Sequence, residues 1–316
     1  MIDEKDLMSI EVARMYYEFD KTQQEIAETL SISRPTVSKL LKHAKEKNFI
    51  QITIESPVDA IGSLEQGLKE KFGLKDAKVA YVSRSRMRDV DFDLRNLLGK
   101  VTAEYLADIV KDDDRIGLSW GETLFQVSQE LKPKSLQGVE VVQLKGGMNL
   151  VEAGTHDQEI MMQFVKNFNA KGQYIPLPVV FETEAAKQTM LNQKQTQKII
   201  DKISGINIAL YTIGTVTKAS LLHRMHYTTD EEFAYLEEHA ICDICSRFID
   251  EHGEICLEDL DARTFGIGLD KLAEVENSIL VAGGEEKLEG IYVALQKKIP
   301  NVLITNSMTA IKLLEH

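Results

Sequence analysis

The sequence lacks an excess of basic residues and any long apolar run. Lys and Arg number 37 against 50 Asp and Glu, which gives a formal net charge of −13. An acidic chain cannot coat nucleic acid with its whole surface, so any DNA contact must come from a local basic patch. No apolar run approaches the roughly 20 residues of a membrane-spanning helix, and the start MIDEKDLMSI does not resemble a signal peptide. These absences predict a soluble, cytoplasmic protein without a membrane partner.

Cysteine is also scarce. The three cysteines, Cys242, Cys245 and Cys256, fit a reducing compartment better than a disulfide framework. The CDIC spacing of Cys242 and Cys245 could provide a metal or redox pair, but no second CxxC and no close pair of His ligands follows it. We therefore expect no metal and no cofactor.

The N-terminal segment has the pattern of a helix-turn-helix. Its apolar periodicity predicts helices at residues 9–19, 23–30 and 34–47. Thr22 and Ser33 are the expected N-caps of the second and third helices, and Pro35 falls in a first turn, where its missing N–H costs nothing. The small Ala27 lets these two helices cross closely. Residues 49–54 alternate like a short strand and predict a wing beside the third helix.

The third predicted helix carries a basic and hydroxyl-rich face. We expect base-edge or nearby phosphate contacts from its start and phosphate contacts from its lysines. The predicted DNA-binding residues are Ser33, Arg34, Thr36, Ser38, Lys39 and Lys42, with Lys45 as a further phosphate contact. The alternative is an ordinary three-helix bundle whose lysines only solvate it.

The remaining chain alternates β-rich runs with amphipathic helices. This alternation predicts an α/β domain with a doubly wound, mostly parallel sheet. At 316 residues the chain suits a small module joined to a larger one. We place a winged helix-turn-helix domain at residues 1–56 and the larger domain at residues 57–316. Ligands of such sheets bind at the carboxyl ends of the strands.

Four loops at predicted strand ends share glycines, hydroxyls and lysines. The loops GLSWGETL, QLKGG, YTIGTV and LVAGGEEK supply the candidate ligand-binding residues Gly121, Thr123, Lys145, Gly146, Gly147, Thr215 and Lys287. Glycines let backbone N–H groups approach an anion, and helix N-termini favour negative charge. Each loop alone is ordinary turn chemistry, but the combination favours a phosphorylated small molecule. Neither GxGxxG nor GxxxxGK[ST] is present in the pattern that nucleotide binding needs.

The N-terminal segment contains the basic helix-turn-helix QQEIAETLSISRPTVSKLLKHAKEKNFIQI. The rest of the chain contains the motifs GLSWGETL, LKGG, IGTV, DICSRFID and ILVAGGEEKLEGIYVAL. In this combination of motifs the chain resembles the SorC family of sugar-binding transcriptional regulators. The resemblance covers almost the whole chain. It implies a sugar-phosphate-isomerase-like domain for effector binding and oligomerisation, generally in tetramers. Where many relatives have Gly-Asp, this chain has Cys242-Asp243, so Asp243 stays a candidate contact for a sugar hydroxyl. The VVQLKGG motif is similar to that of members that bind deoxyribose-5-phosphate, which implies a Schiff base at Lys145.

An amine attacks a carbonyl only when it is deprotonated, and a lysine with the ordinary pKa of about 10.4 is almost wholly protonated at neutral pH. Burial at a strand end, and a cationic neighbour such as Lys287, are expected to lower the pKa of Lys145. The alternative is that Lys145 stays charged and pairs with a ligand phosphate, or with Glu140 or Asp243.

A Schiff-base lysine would also suit an aldolase or an isomerase. Glu122 and Asp243 are available carboxylates, but neither belongs to a motif for proton transfer. The fused DNA module favours sensing over turnover, and a purely structural DNA-associated protein is a third alternative. We expect a repressor of deoxyribonucleoside and deoxyribose catabolism genes that deoxyribose-5-phosphate, or another sugar phosphate, releases from operator DNA.

Overall fold

The computed structural model describes residues 4–47, 49–50, 57–82, 93–147, 155–218, 220–224 and 226–316. The chain divides into two compact units, Met1–Ser56 and Pro57–His316. The predicted wing at residues 49–54 lies outside the described residues after Ile50. No helix in the described ranges is both long enough and apolar enough to cross a membrane.

The described part of the first unit contains three helices, α1 (Glu4–Tyr17), α2 (Gln23–Thr29) and α3 (Arg34–Glu46). Thr22 caps α2 in a capping box with Glu25, and Ser33 caps α3. Thr22 therefore fixes where α2 begins, and Ser33 fixes where the turn between α2 and α3 ends. The core that joins the helices consists of Val12, Ala13, Ile26, Ala27, Val37, Leu40, Leu41 and Ala44.

The second unit is built from alternating strands and helices. In chain order they are α4 (Pro57–Phe72), β1 (Asp76–Ala80), α5 (Leu94–Ile109), β2 (Arg115–Leu118), α6 (Glu122–Glu130), β3 (Glu140–Gln143), α7 (Asp157–Asn167), β4 (Lys171–Gln173), α8 (Glu184–Leu191), α9 (Lys194–Ser204), β5 (Ile208–Tyr211), β6 (Ile213–Gly214), α10 (Leu221–Arg224), α11 (Asp230–His239), β7 (Cys242–Ile244), β8 (Arg247–Ile249), α12 (Glu258–Arg263), α13 (Leu269–Glu274), β9 (Asn277–Val281), a 3-10 helix (Glu285–Lys287), α14 (Leu288–Gln296), β10 (Val302–Asn306) and α15 (Ser307–Glu315).

Seven of these strands form one sheet in the order β1-β10-β9-β5-β2-β3-β4, and every pairing in it is parallel. Successive residues of β5 pack into different cores: Ile208 and Leu210 into one, Ala209 and Tyr211 into the other. Helices cover both faces, as a buried parallel sheet requires. The predicted α/β fold class is confirmed.

A smaller antiparallel sheet, in the order β6-β7-β8, follows the carboxyl end of β5. The segment ARTFGIG at residues 262–268 is β-rich in sequence, but it does not enter the large sheet. Its residues leave α12 and make only isolated bridges, from Thr264 to Val180 and from Gly266 to Lys145. Their hydrogen bonds go to the chain beyond the end of β3, which places this segment beside Lys145.

Candidate functional site

The predicted DNA-binding residues lie on α3 or directly before it. Arg34, Ser38, Lys39 and Lys42 are exposed, while the opposite side of the helix is buried in the core of the first unit. Lys42 lies 3.7 Å from Glu46, but both side chains are largely exposed, so the pair contributes little and can give way to a phosphate. One side of α3 is therefore available for a DNA groove.

Ser33 and Thr36 have a structural role at the start of this helix. The Thr36 N–H donates to Ser33 Oγ at 3.3 Å, and the two hydroxyl oxygens are 2.7 Å apart. Ser33 is exposed and Thr36 is half-buried. A DNA contact by either hydroxyl would have to share it with the cap.

A cavity of about 650 Å³ opens at the carboxyl edge of the large sheet. The strands β2 and β5 are neighbours there, but the chain leaves β2 on one side for β3 and returns to β5 on the other. This arrangement is the topological switch point at which open α/β sheets bind ligands. The cavity brings together six predicted effector-binding residues: Gly121, Thr123, Lys145, Thr215, Asp243 and Lys287.

Gly146 and Gly147 do not line this cavity. The Gly146 N–H donates to Phe265 O at 3.1 Å, and the Gly147 N–H donates to Leu177 O at 3.0 Å. A Cβ on Gly146 would lie 2.5 Å from Pro178 O. This corrects the expectation that the two glycines approach a ligand, because the close approach is between two segments of the protein's own backbone.

Gly146→Ala is therefore expected to lower the free energy of unfolding by about 1–3 kcal/mol, as overpacking of a tight site does. Urea unfolding, followed by the fluorescence of Trp120 in the same unit, measures the change. The matched control is Gly62→Ala in α4, where an added Cβ meets nothing within 4 Å. That variant should gain up to about 1 kcal/mol from helix propensity. Equal midpoints for Gly146→Ala and the wild type would contradict the close approach.

Lys145 is 4 % exposed and has two close contacts. Its Nζ donates to Ser246 Oγ at 3.0 Å and lies 3.6 Å from the centroid of the Trp120 ring. Burial lowers the pKa of Lys145, although the charge of Asp243 and the nearby Cys245 act to raise it. A lower pKa leaves a larger fraction of the lysine as the free amine at neutral pH, which is the form that attacks a carbonyl.

The partners of Lys145 differ from those expected. Burial rather than Lys287 depresses its pKa, and Glu140 is occupied by Lys202, whose Nζ lies 3.2 Å away. Lys287 is half-buried, and its desolvation lowers its own pKa against the opposing charges of Glu286 and Asp243. The two lysines thus line the same cavity, and the pKa of each is lowered by its own burial and not by the charge of the other.

Several polar residues of the cavity were missed from the sequence. Arg95 and Arg224 add positive charge to the lining. Thr212 Oγ1 and Ser220 Oγ are buried and have no hydrogen-bond partner among the described residues. Buried hydroxyls are normally hydrogen-bonded, so these two are suited to a polar ligand in the cavity. No sequence motif marks them, because isolated Thr and Ser are common in loops.

The carboxylates considered for proton transfer are both engaged. Glu122 lies 4.0 Å from Arg95 and 3.4 Å from His156. Asp243 Oδ2 accepts the Ser246 N–H at 2.9 Å. These contacts give both carboxylates positions in the lining of a binding site.

The cysteines of the CDIC sequence are buried thiols. Burial raises the pKa of Cys245 to about 11 and also raises the pKa of Cys242. Thiols in such surroundings stay protonated at neutral pH and are poor metal ligands. In the ranges that the structure describes, no group of three or more His, Cys, Asp or Glu is placed to hold a metal ion.

Both units match known families. Residues 56–315 match the family described as "Putative sugar-binding domain", and residues 11–47, which span most of the three N-terminal helices, match "Sigma-70, region 4".

Relatives match over nearly the whole length. The chain is 43 % identical over 307 residues to the deoxyribonucleoside regulator of Bacillus subtilis (strain 168), covering 97 % of each chain. It is 29 % identical to the sorbitol operon regulator of Klebsiella pneumoniae, again over 97 % of each chain. The crystal structure of that full-length regulator matches with a TM-score of 0.73 over 99 % of each chain. A transcriptional regulator from Streptococcus pneumoniae TIGR4 matches with a TM-score of 0.74 at 25 % identity, over 81 % of this chain and 97 % of the other.

The first unit is a helix-turn-helix with an exposed basic face, and the second unit has a strand-end cavity. Together with these relatives, the two features define a transcriptional regulator with a sugar-binding domain, and not an enzyme. The chain belongs to the SorC family of sugar-binding transcriptional regulators. The resemblance drawn from its motifs is thereby confirmed.

Proposed function

We propose that the protein represses genes of deoxyribonucleoside and deoxyribose catabolism, and that deoxyribose-5-phosphate releases it from operator DNA by forming a Schiff base with Lys145. The relative from Bacillus subtilis, which is a deoxyribonucleoside regulator, supports this choice of genes. The proposal includes a homo-oligomer, a tetramer as is general in the family, acting on DNA in the cytoplasm.

The observation that carries the proposal is the position of Lys145. Its amine is buried, its pKa is lowered by that burial, and its side chain still forms part of the cavity wall. A lysine kept only for charge pairing would be expected beside a carboxylate. The charge of Asp243 acts on Lys145, but within the described residues the hydrogen-bond partner of Lys145 Nζ is the neutral hydroxyl of Ser246.

The rest of the cavity suits a sugar phosphate. Arg224 and Lys287 supply positive charge for a phosphate, and Gly121, with φ 127°, precedes the N-terminus of α6 without a side-chain cap. The unpartnered hydroxyls of Thr212 and Ser220 suit ligand oxygens. A pentose phosphate in its open-chain form offers an aldehyde at one end and a phosphate at the other, which matches this division.

The effect on DNA follows from linkage. A ligand changes operator affinity only if it binds the DNA-competent and DNA-incompetent states differently. We expect saturating deoxyribose-5-phosphate to weaken operator binding by about tenfold or more, which corresponds to a coupling of at least about 1.4 kcal/mol. Titration of labelled operator DNA with and without the sugar phosphate measures this change.

The control for that titration is deoxyribose-1-phosphate, which is locked at the anomeric carbon and exposes no aldehyde. It should release the protein much less. Operator affinity that is unchanged or tightened by deoxyribose-5-phosphate would contradict release, and equal effects of the two phosphates would contradict the Schiff base.

A further inference from the structure

Among the described residues, Lys145 Nζ has two contacts that account for two directions of its amine. A neutral amine has two N–H groups and one lone pair in a roughly tetrahedral arrangement. Ser246 Oγ, at 3.0 Å, is an acceptor for one N–H, and the face of the Trp120 ring, with its centroid at 3.6 Å, is an acceptor for the other. Because Lys145 also lines the cavity, the remaining direction is the one open to a ligand.

We propose that Trp120 and Ser246 are positioning residues for Lys145, which hold its lone pair toward the cavity and then stabilise the iminium that forms there. The inference rests on the proposed Schiff base and adds to it the two groups that orient the buried amine. It also assigns a ligand-related role to the chain's single tryptophan.

Both residues are themselves fixed by hydrogen bonds. Trp120 is 7 % exposed, and its Nε1–H donates to Gly146 O at 3.2 Å. Ser246 is 2 % exposed, and its N–H donates to Asp243 Oδ2 at 2.9 Å. Ser246 also has φ 69°, a left-handed conformation that is uncommon for serine. This conformation, together with the bond to Asp243, sets where the hydroxyl lies relative to Lys145.

The same two contacts serve the product. The lone pair attacks the aldehyde carbon, and the carbonyl oxygen leaves as water with one proton from the nitrogen and one from solvent. The iminium nitrogen keeps its other proton, for which Ser246 Oγ is the nearby acceptor. The positive charge remains over the Trp120 ring, whose negative face favours a cation. The ring therefore stabilises the free ammonium and the iminium more than it stabilises the neutral amine.

The test exploits the fact that Trp120 is the chain's only tryptophan. Growth with mono-, di- and trifluorinated tryptophan weakens the negative face of this ring alone, with little change in its shape. The reactivity of Lys145 is measured in the full-length protein with formaldehyde and cyanoborohydride, which methylate a neutral amine whatever sugar the protein binds. Peptide mass spectrometry gives the methylation rate of Lys145 as a function of pH.

We expect the acid limb of this pH profile to move to lower pH with each added fluorine, by up to about one pH unit in total, because the ring stabilises the ammonium less. Lys187 is an internal control in the same samples. It is partly buried with a lowered pKa, and its Nζ donates to Ala262 O, so its limb should stay in place. A Lys145 limb that does not move across the series would overturn the role of Trp120.

Ser246→Ala tests the second positioning residue and removes only the hydroxyl. We expect it to slow methylation of Lys145 by about two- to tenfold where the amine is neutral, the range expected for loss of one hydrogen bond. The matched control is Ser128→Ala, which removes another buried serine hydroxyl outside the cavity lining and should leave both the rate and the pH profile of Lys145 in place. An unchanged rate in Ser246→Ala would overturn the role of Ser246. Absence of any deoxyribose-5-phosphate adduct on the wild type would instead overturn the proposed function, since methylation does not depend on the sugar.

Discussion

Lys145→Met is expected to abolish both the covalent adduct and the response of operator binding to deoxyribose-5-phosphate. Methionine fills a similar volume in a site where Lys145 is 4 % exposed, but it has no amine to attack the aldehyde. Borohydride reduction of the wild type with the sugar phosphate should leave one stable adduct on Lys145, found by peptide mass spectrometry. The apparent affinity for the sugar phosphate should fall about 100-fold in the variant, on the order of 3 kcal/mol.

The matched control is Lys187→Met. Lys187 is also a lysine whose pKa is lowered by burial, but it does not line the cavity. This variant should keep both the adduct and the response. An adduct that persists in Lys145→Met, or that maps to another lysine in the wild type, would contradict the assignment of the Schiff base.

Combined replacement of Arg34, Lys39 and Lys42 by alanine should remove most of the operator affinity. All three side chains are exposed on α3, in a chain whose net charge of −13 otherwise repels DNA. Removing an arginine that binds a base edge costs about 1–3 kcal/mol, and removing a lysine that binds a phosphate lowers the salt slope by about 1. We therefore expect operator affinity to fall at least about 100-fold and the salt slope to fall by about 2, both measured by fluorescence anisotropy over a series of salt concentrations.

Lys5→Ala is the control for this experiment, because Lys5 is an exposed lysine of the same unit that lies on α1 rather than α3. It should leave the salt slope nearly unchanged. The triple variant should also keep its binding of sugar phosphate, since the cavity belongs to the other unit. An unchanged operator affinity in the triple variant would show that the basic residues of α3 only solvate the helix bundle.

Strand-end residues could be placed from the sequence because parallel strands align their carboxyl ends at one edge of the sheet. Thr123, Lys145 and Lys287 come from distant parts of the chain, and each follows a recognisable strand. All three residues line the cavity, as their positions after predicted strands indicated.

Residues that reach the cavity by other routes were missed for identifiable reasons. Arg95 and Arg224 lie on helices, where an arginine gives no sign of the face it occupies. The position of Ser246 in the cavity depends on a turn in which Cys245 and Ser246 both have positive φ. Neither residue type predicts that conformation from the sequence. The partner of Gly146 is a segment more than 30 residues further on, with no periodic pattern to reveal it.

The bridge between Lys145 and Gly266 gives the ligand-binding residue a second attachment. Its side chain enters the cavity, while its main chain is tied to a segment whose carbonyl oxygens, at Gly266 and Ile267, accept hydrogen bonds from Arg247. A Cβ at Gly266 would lie only 3.0 Å from Lys145 Cβ, so the two backbone segments are in close contact. A sugar bonded to the amine would thus be attached where the large sheet and the small sheet meet. Any displacement that it imposed on Lys145 would act directly on the backbone at Gly266 and, through Arg247, on the small sheet.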